Sequence, residues 1–212
     1  MLRITCLADN NFLRYYYHVN ILTLDQNALS IINDFFIGHS EAMDQLFKFL
    51  AVYLIYSLPI ILLVMWFMIK DKPKRISLVM SMLSLVVAVF GLNKIISYFW
   101  FRPRPDLDIV GLKEVFFHRP DFSFPSDHSA ALFAITFTLY LFGYKKAANY
   151  FLLYALVITF SRVVIAVHYP LDIVGGAAVA FIASYIIHLL KKPLTAYVYN
   201  PIVFILKKVN LA

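Results

Sequence analysis

Charged and titratable side chains interrupt an apolar region at residues 161–172, which read SRVVIAVHYPLD. Charged groups inside or at the edge of a membrane-length segment are costly, so Arg162 is a candidate for function. Pro170 disfavours helical geometry at the preceding residue and suits the first turn of a new helix. We therefore expect a corner at which Asp172, in that first turn, orients the imidazole of His168. The alternative is an arginine that snorkels to the membrane surface beside a histidine without a catalytic role.

A second polar cluster, Pro-Ser-Asp-His at residues 125–128, stands directly before an apolar run. Ser126 can cap the helix that this run predicts, and the first backbone N–H groups of a helix lack partners within it. Such a helix end binds anions, so we expect His128 to lie beside a bound anion. The alternative is a plain capping sequence.

The third cluster consists of Lys94, Arg102 and Arg104. On a continuous helix Lys94 and Arg102 differ by roughly 80° around the axis, so both could point into one site. Pro103 and Pro105 break the helix and place Arg104 on a rigid, extended segment. Arginine offers paired donors that suit phosphate oxygens. The alternative is that all three side chains are anchors for lipid headgroups.

Taken together, the clusters supply three arginines, a lysine, a helix N-terminus, two histidines and a carboxylate. This set suits phosphoryl transfer, because cationic donors neutralise the phosphoryl oxygens. One histidine can attack phosphorus while the other protonates the leaving oxygen. The sequence has no HExxH, DxDxxG or carboxylate-rich motif, so we expect neither a metal nor another cofactor.

The elements that must position these residues are predicted to be membrane helices. The chain is 62% hydrophobic and only 15% charged, which is a membrane composition. We predict an all-α, polytopic transmembrane bundle of about five main spanning helices, of which the first apolar run, with 20 residues, is long enough to cross a bilayer. Their apolar cores lie at 50–69, 76–93, 129–144, 147–167 and 173–190.

We expect a single domain, residues 1–212. It divides into an N-terminal interfacial segment (1–46), a catalytic bundle (47–192) and a C-terminal tail (193–212). A short amphipathic helix is predicted to begin near Asp25 and to lie along the membrane surface. The sequence contains no nucleic-acid motif, and no obligatory protein partner is evident. The expected partners are the bilayer and an anionic lipid.

Basic residues mark alternate connections between the predicted spans, at 70–75, 145–146 and 191–192. The positive-inside rule places these connections in the cytoplasm. All three polar clusters then face outward. We therefore expect a multi-pass protein of the inner (cytoplasmic) membrane with its active site on the outer face.

The second cluster and the stretch SRVVIAVHYPLD resemble two motifs of the type 2 phosphatidic acid phosphatase superfamily, usually written PSGH and SRxxxxxHxxxD. The resemblance implies a helical bundle whose motifs converge at one membrane face. It implies that His168 is the nucleophile that becomes phosphohistidine, that Asp172 orients it, and that His128 is the general acid. Phosphate would be held by three groups: the Arg162 side chain, Ser126 and the backbone amide of Asp127.

The chain departs from the family pattern in two places. Asp127 stands where most members have glycine, which puts an acid near the phosphate. The usual first motif, KxxxxxxRP, places its arginine seven positions after its lysine. Lys94 instead precedes Arg102 by eight residues and Arg104 by ten, and aligning Arg104 with the RP position puts Ser97 at the lysine position.

With these departures and the sequence FRPRP, the chain resembles the bacterial undecaprenyl-diphosphatase branch of the superfamily. That branch hydrolyses undecaprenyl diphosphate to the monophosphate outside the cytoplasmic membrane and so recycles the lipid carrier of cell-wall synthesis. A phosphatase acting on phosphatidate or phosphatidylglycerol phosphate is the first alternative. A vanadate haloperoxidase shares the histidine–arginine site but is a larger soluble protein. A membrane anion transporter would need neither the second histidine nor the paired carboxylate.

Overall fold

The computed structural model of the chain describes residues 10–105 and 122–208, with side chains from residue 21 onward. Within these ranges the regular structure is helical, apart from an isolated antiparallel bridge between Pro103 and Phe122. The predicted all-α class is therefore confirmed. Most of the predicted polar loop, residues 106–121, lies outside the described residues, as do residues 1–9 and 209–212.

The helices, numbered in chain order, are α1 (Asn10–Phe36), α2 (Glu41–Met68), α3 (Lys72–Phe99), α4 (Asp127–Leu141), α5 (Lys145–Val164), α6 (Pro170–Leu189) and α7 (191–208). Three of these described helices contain π-helical stretches, at Phe49–Tyr53 in α2, at Val87–Asn93 in α3 and at Thr195–Tyr199 in α7. Such stretches shift the face that a helix presents to its neighbours.

Local sequence explains where several helices begin and end. The side chain of Asp71 caps α3 by accepting a hydrogen bond from the backbone N–H of Lys74 at 3.0 Å. Ser126 occupies the equivalent capping position of α4, and Pro170 is the first residue of α6. Gly143, with φ of 84°, occupies the left-handed region in the turn between α4 and α5, where a side chain would be strained.

Helix α4 lies at the centre of the bundle and packs against α3, α5 and α6. Four described helices, α2, α3, α5 and α6, are long and apolar enough to cross a membrane. The predicted helical membrane bundle is thus confirmed. The remaining predicted span, α4, has 15 residues and is about 22 Å long. Its Leu132 and Ile135 are fully buried, so this shorter helix is covered by protein rather than lipid at these positions.

The N-terminal ends of α4 and α6 meet in close contact. A Cβ added to Gly176 of α6 would lie 2.6 Å from the backbone oxygen of Ser126, so only glycine allows this approach. The Ser126 N–H donates to the backbone oxygen of Asp172 at 3.1 Å. The hydroxyl of Ser129 donates to the backbone oxygen of Ile173 at 2.6 Å. These contacts bring the two histidine-bearing motifs together at one end of the bundle.

Helix α1 is longer than the predicted interfacial helix, since it starts at Asn10 rather than near Asp25. It is not among the helices that meet the length and hydropathy of a span. Its residues Asp25, Leu29 and Asn33, one turn apart, are all buried. The helix therefore packs one face against the bundle, and its predicted place at the membrane surface remains a prediction. Beyond α6, the predicted C-terminal tail is helical through Lys208.

Candidate active site

The corner between α5 and α6 carries the predicted nucleophile and its partner. Helix α5 ends at Val164, and Ala166 turns the chain with a positive φ of 56°. His168 is 2% exposed and Asp172 is fully buried. Nδ1 of His168 lies 3.5 Å from Oδ2 of Asp172, at the outer edge of hydrogen-bond distance. With its proton on Nδ1, the imidazole points that proton at the carboxylate and leaves a lone pair on Nε2.

Three donors hold the Asp172 carboxylate in place. The backbone N–H of Tyr169 donates to Oδ2 at 2.8 Å, and the hydroxyl of Ser123 donates to the same oxygen. Nη1 of Arg102 donates to Oδ1 at 2.8 Å. Because each oxygen has a donor, the carboxylate has a fixed orientation relative to His168.

The opposite edge of His168 faces two arginines. Its Nε2 lies 3.3 Å from Nη1 of Arg104 and 3.5 Å from Nη2 of Arg162. Each guanidinium is also anchored to the backbone. Arg104 donates to the oxygen of Val167 at 2.7 Å, and Arg162 donates to the oxygen of Ala51 at 3.0 Å. The nucleophilic edge of the imidazole therefore points into a region of concentrated positive charge.

His128 reaches the same region from the first turn of α4. Its Nε2 lies 3.3 Å from Nη1 of Arg162, so both histidines present Nε2 to one guanidinium. The hydroxyl of Ser126 accepts from the N–H of Ser129 at 3.5 Å. In the described part of the chain, the backbone N–H groups of Asp127 and His128 have no hydrogen-bond acceptor. The helix end thus offers donors to an anion placed between the histidines.

Arg102, predicted to contact the substrate, instead binds two carboxylates of the protein. Its Nη2 lies 2.5 Å from Oδ2 of Asp25, while Nη1 binds Asp172. The guanidinium also stacks on the ring of Tyr169 at 3.9 Å. A buried cation needs carboxylate partners, and Arg102 has two of them, Asp25 and Asp172. This arrangement supports an orienting role and gives no support to direct binding of substrate.

Lys94 and Asp127 pair with each other instead of converging on the histidines. Nζ of Lys94 lies 3.2 Å from Oδ2 of Asp127, and both side chains are substantially exposed. Nδ2 of Asn93 donates to the other carboxylate oxygen at 2.9 Å. The hydroxyl of Ser97, the residue aligned with the family's lysine position, donates to the backbone oxygen of Phe124 at 3.1 Å. The predicted phosphate contact of Lys94 therefore remains a prediction.

Sequence reasoning missed two residues of the site, Ser123 and Asp25. Ser123 lies just before the PSDH cluster, and its polar side chain at that position carried no distinguishing signal. The sequence pattern identifies Asp25 only as the start of a helix. Its spacing of four from Leu29 and of eight from Asn33 marks a single helical face, which could have identified it as buried.

The surroundings of His168 control its charge. Burial lowers the pKa of His168 from 6.5 to about 4, and the hydrogen bond with Asp172 opposes this shift. The charges of Arg162 and Arg104 lower the pKa further. His168 is therefore neutral at pH 7, as a nucleophilic imidazole must be. Among the described residues, no three His, Cys, Asp or Glu side chains are grouped as metal ligands, and metal-independent chemistry remains a prediction.

Comparison with known proteins shows the family to which the sequence is related. The sequence model of the PAP2 superfamily matches residues 76–195. The bacitracin transport permease protein BcrC of Bacillus licheniformis is 32% identical over 162 residues, which are 76% of this chain and 77% of the relative. The undecaprenyl-diphosphatase BcrC of Bacillus subtilis strain 168 is 28% identical over 148 residues, covering 70% of this chain and 75% of the relative.

A solved structure has the same fold. The crystal structure of Aquifex aeolicus LpxE superimposes with a TM-score of 0.59 at 24% sequence identity. The alignment covers 77% of this chain and 94% of the other. The family match spans more than half of the 212 residues and contains both histidine motifs. The chain therefore belongs to the PAP2 superfamily.

Proposed function

We propose that this protein is a membrane phosphatase that hydrolyses undecaprenyl diphosphate to undecaprenyl phosphate and inorganic phosphate. The observation that carries the proposal is the placement of Arg162, whose guanidinium lies 3.3 Å from Nε2 of His128 and 3.5 Å from Nε2 of His168. A phosphoryl group bound by Arg162 then has a nucleophile on one side and a proton donor on the other.

In the first step, the lone pair on Nε2 of His168 attacks the terminal phosphorus. The bond between that phosphorus and the bridging oxygen breaks, and a phosphohistidine forms. His128 supplies a proton to the leaving lipid monophosphate, since the bound anion favours the protonated imidazole. Arg104, Arg162 and the N-terminus of α4 stabilise the charge that develops on the phosphoryl oxygens.

In the second step, His128 accepts a proton from water as the water attacks the phosphohistidine. The phosphorus–nitrogen bond breaks, inorganic phosphate leaves and His168 returns to its neutral form. Asp172 keeps the imidazole in one tautomer throughout and stabilises the positive charge that forms when it is phosphorylated. The sum is one lipid diphosphate plus water giving one lipid monophosphate plus phosphate.

The choice of a lipid diphosphate has two supports. One is the name of the Bacillus subtilis relative, undecaprenyl-diphosphatase BcrC. The other is the pair of arginines at the histidines, Arg104 and Arg162, which suits a substrate with two phosphates because the departing monophosphate stays charged. Phosphatidate and phosphatidylglycerol phosphate are the alternative substrates: each would present a terminal phosphomonoester, rather than an anhydride, to the same nucleophile.

We place the protein in the inner (cytoplasmic) membrane with the histidines at its outer face. Helix α5 runs from Lys145 to the corner that carries His168, and α6 runs from that corner to Leu189, just before Lys191. The basic pairs therefore lie at the end of these helices opposite the site, as the positive-inside rule requires of a cytoplasmic end. Labelling in intact cells tests this placement after Cys6→Ser removes the native cysteine. An impermeant maleimide should reach Asp106→Cys and miss Lys72→Cys, and the reverse pattern contradicts it.

The substrate is tested by phosphate release from purified protein in detergent containing EDTA. Undecaprenyl diphosphate, undecaprenyl phosphate, phosphatidate and phosphatidylglycerol phosphate are compared at equal surface density. We expect the diphosphate to turn over fastest. Faster turnover of phosphatidate would overturn the substrate and leave the phosphatase reaction intact. Release from none of the four, with the protein folded, would overturn the proposed function.

A further inference from the structure

Helix α1 contacts both ends of the histidine corner, the segment between α5 and α6 that carries His168. This helix lies outside the residues matched by the superfamily. Nδ2 of Asn33 donates to the backbone oxygen of Val164, at the end of α5, at 2.9 Å. Oδ1 of Asp25 accepts from the backbone N–H of Leu171, in the first turn of α6, also at 2.9 Å. Leu29, between these two, is fully buried against the corner. The helix therefore fastens the segment that carries His168.

Asp25 also belongs to a line of charges that ends at His168. Its Oδ2 lies 2.5 Å from Nη2 of Arg102, and Nη1 of Arg102 lies 2.8 Å from Oδ1 of Asp172. Oδ2 of Asp172 faces Nδ1 of His168 at 3.5 Å. The Asp25 side chain is 1% exposed and that of Arg102 is 11% exposed. Each charge is thus paired in a place with little water to screen it.

The position of Arg102 between two carboxylates has a physical consequence. A guanidinium is a planar fork whose nitrogens can each bind a separate carboxylate oxygen, so Asp25 fixes the plane in which Arg102 meets Asp172. Asp25 also shares the positive charge of Arg102. Without it, the whole charge of Arg102 would act on Asp172 and weaken the carboxylate as an acceptor for the imidazole.

We propose that Asp25 is a positioning residue for the phosphatase reaction, acting through Arg102 on the pair formed by Asp172 and His168. The proposal rests on the proposed function. It makes α1 part of the catalytic unit, through a carboxylate that touches neither histidine. Asp25 should therefore govern the rate of phosphoryl transfer and leave the binding of the lipid diphosphate largely unchanged.

The first test compares Asp25→Asn with Asp25→Glu and with Asp34→Asn, an exposed carboxylate on the same helix. Asparagine retains the size of Asp25 and an acceptor for the Leu171 N–H, but it loses the charge and replaces the oxygen that binds Arg102 with an NH2 donor. We expect Asp25→Asn to lower kcat roughly 10-fold to 100-fold, as orienting partners of active-site groups do, with KM changed by less than about twofold. Asp25→Glu should retain more of kcat, and Asp34→Asn should match the wild type.

A double-substitution cycle tests whether the effect passes through Arg102. In an Arg102→Gln background, adding Asp25→Asn should lower kcat no further, because the intermediary is already gone. Effects of the two substitutions that multiply would show that Asp25 acts independently and would overturn the proposal. Equal kcat for Asp25→Asn and the wild type would also overturn the proposal. The same holds if thermal unfolding shows that the fraction of folded protein falls as much as kcat does.

A second readout does not need activity. Ring ¹⁵N signals of histidine-labelled protein in detergent report the tautomer of each imidazole, and His168→Asn identifies the signal of His168. Asp25→Asn should shift the His168 signal and leave that of His128 in place. An unchanged His168 signal overturns the inference. A wild type that releases no phosphate from any lipid phosphate overturns the proposed function instead, and the two failures are thus distinguishable.

Discussion

Nη1 of Arg102 donates to Oδ1 of Asp172 at 2.8 Å, and this bond places an arginine on the Asp172 side of the pair that Asp172 forms with His168 rather than at Nε2 of the imidazole. Both oxygens of Asp172 are occupied by donors as a result. The carboxylate can rotate only by giving up one of these bonds. We regard this restraint as the means by which the fold keeps Nδ1 of His168 directed at Asp172 and Nε2 directed at the substrate.

Arg102→Lys should therefore impair catalysis even though it retains the charge. An ammonium is a compact point charge and cannot bind Asp25 and Asp172 in a fixed plane. We expect kcat to fall roughly 10-fold or more with a small change in KM, the pattern of a group that orients others. Arg75→Lys, at the opposite end of the bundle, is the matched control and should retain full activity. A rise in KM with unchanged kcat would instead indicate direct contact with substrate.

The two histidines should respond differently to the leaving group. His168→Asn should abolish turnover of every substrate, because it removes the proposed nucleophile. His128→Asn should lose about 10²-fold to 10⁴-fold on the lipid diphosphate, the usual contribution of general acid catalysis. A nitrophenyl phosphate substrate needs little protonation and should recover much of that loss. Rescue of His168→Asn but not of His128→Asn would show that the two roles are reversed.

Much of this site could be predicted from sequence because its residues lie in short segments. Pro170 marks the corner, and Asp172 follows His168 within one turn, so their meeting depends on local geometry alone. The direction of Arg102 could not be predicted in this way. Its second carboxylate, Asp25, lies 77 residues away in the sequence, and only the packing of α1 brings it near. Two arginines separated by Pro103 offer the same sequence signal and point in different directions.

The helices show the same difference between features set by local sequence and features set by packing. Apolar runs predicted the four described helices that can cross a membrane, and they also predicted α4, which is buried among its neighbours. Its Ser126 cap and the glycine turn at Gly143 limit it to 15 residues. The sequence pattern predicts too late a start for α1, because the polar residues of this helix obscure the pattern of its one buried face. That face includes Asn33, a polar side chain that is buried because it binds the backbone of Val164.

Gly176→Ala should disturb the alignment of the two histidines. The added Cβ would lie 2.6 Å from the backbone oxygen of Ser126, so α4 and α6 must separate. We expect lower activity and a lower Tm, with a destabilisation of about 1–3 kcal/mol as for overpacked cores. Gly91→Ala is the control, because a Cβ there meets nothing within 4 Å. Equal activity and Tm for Gly176→Ala and the wild type would show that the helices are not in close contact.

The free energy of unfolding should fall as the pH is lowered from 6.5 to about 4, because of His168. The pKa of this imidazole is about 4 in the folded protein and 6.5 when unfolded, so between these values the unfolded state binds more protons. The contribution of neutral His168 to the free energy of unfolding is fully present above pH 6.5 and is lost as pH falls to about 4. Its size is on the order of 3 kcal/mol. Urea unfolding in mild detergent should show this slope, and His168→Asn should flatten it. An unchanged slope in the variant would mean that His168 titrates normally.

The central claim is that phosphate passes through His168, and trapping the intermediate tests it most directly. Purified protein is mixed with undecaprenyl diphosphate carrying ³²P at the terminal phosphate and quenched in alkali, which preserves phosphohistidine. We predict a label on the wild-type chain that acid removes, located at His168 by peptide mapping and present without added metal. His168→Asn should carry no label. Turnover of the diphosphate by wild type without any labelled protein, or a label that persists in His168→Asn, would contradict the account.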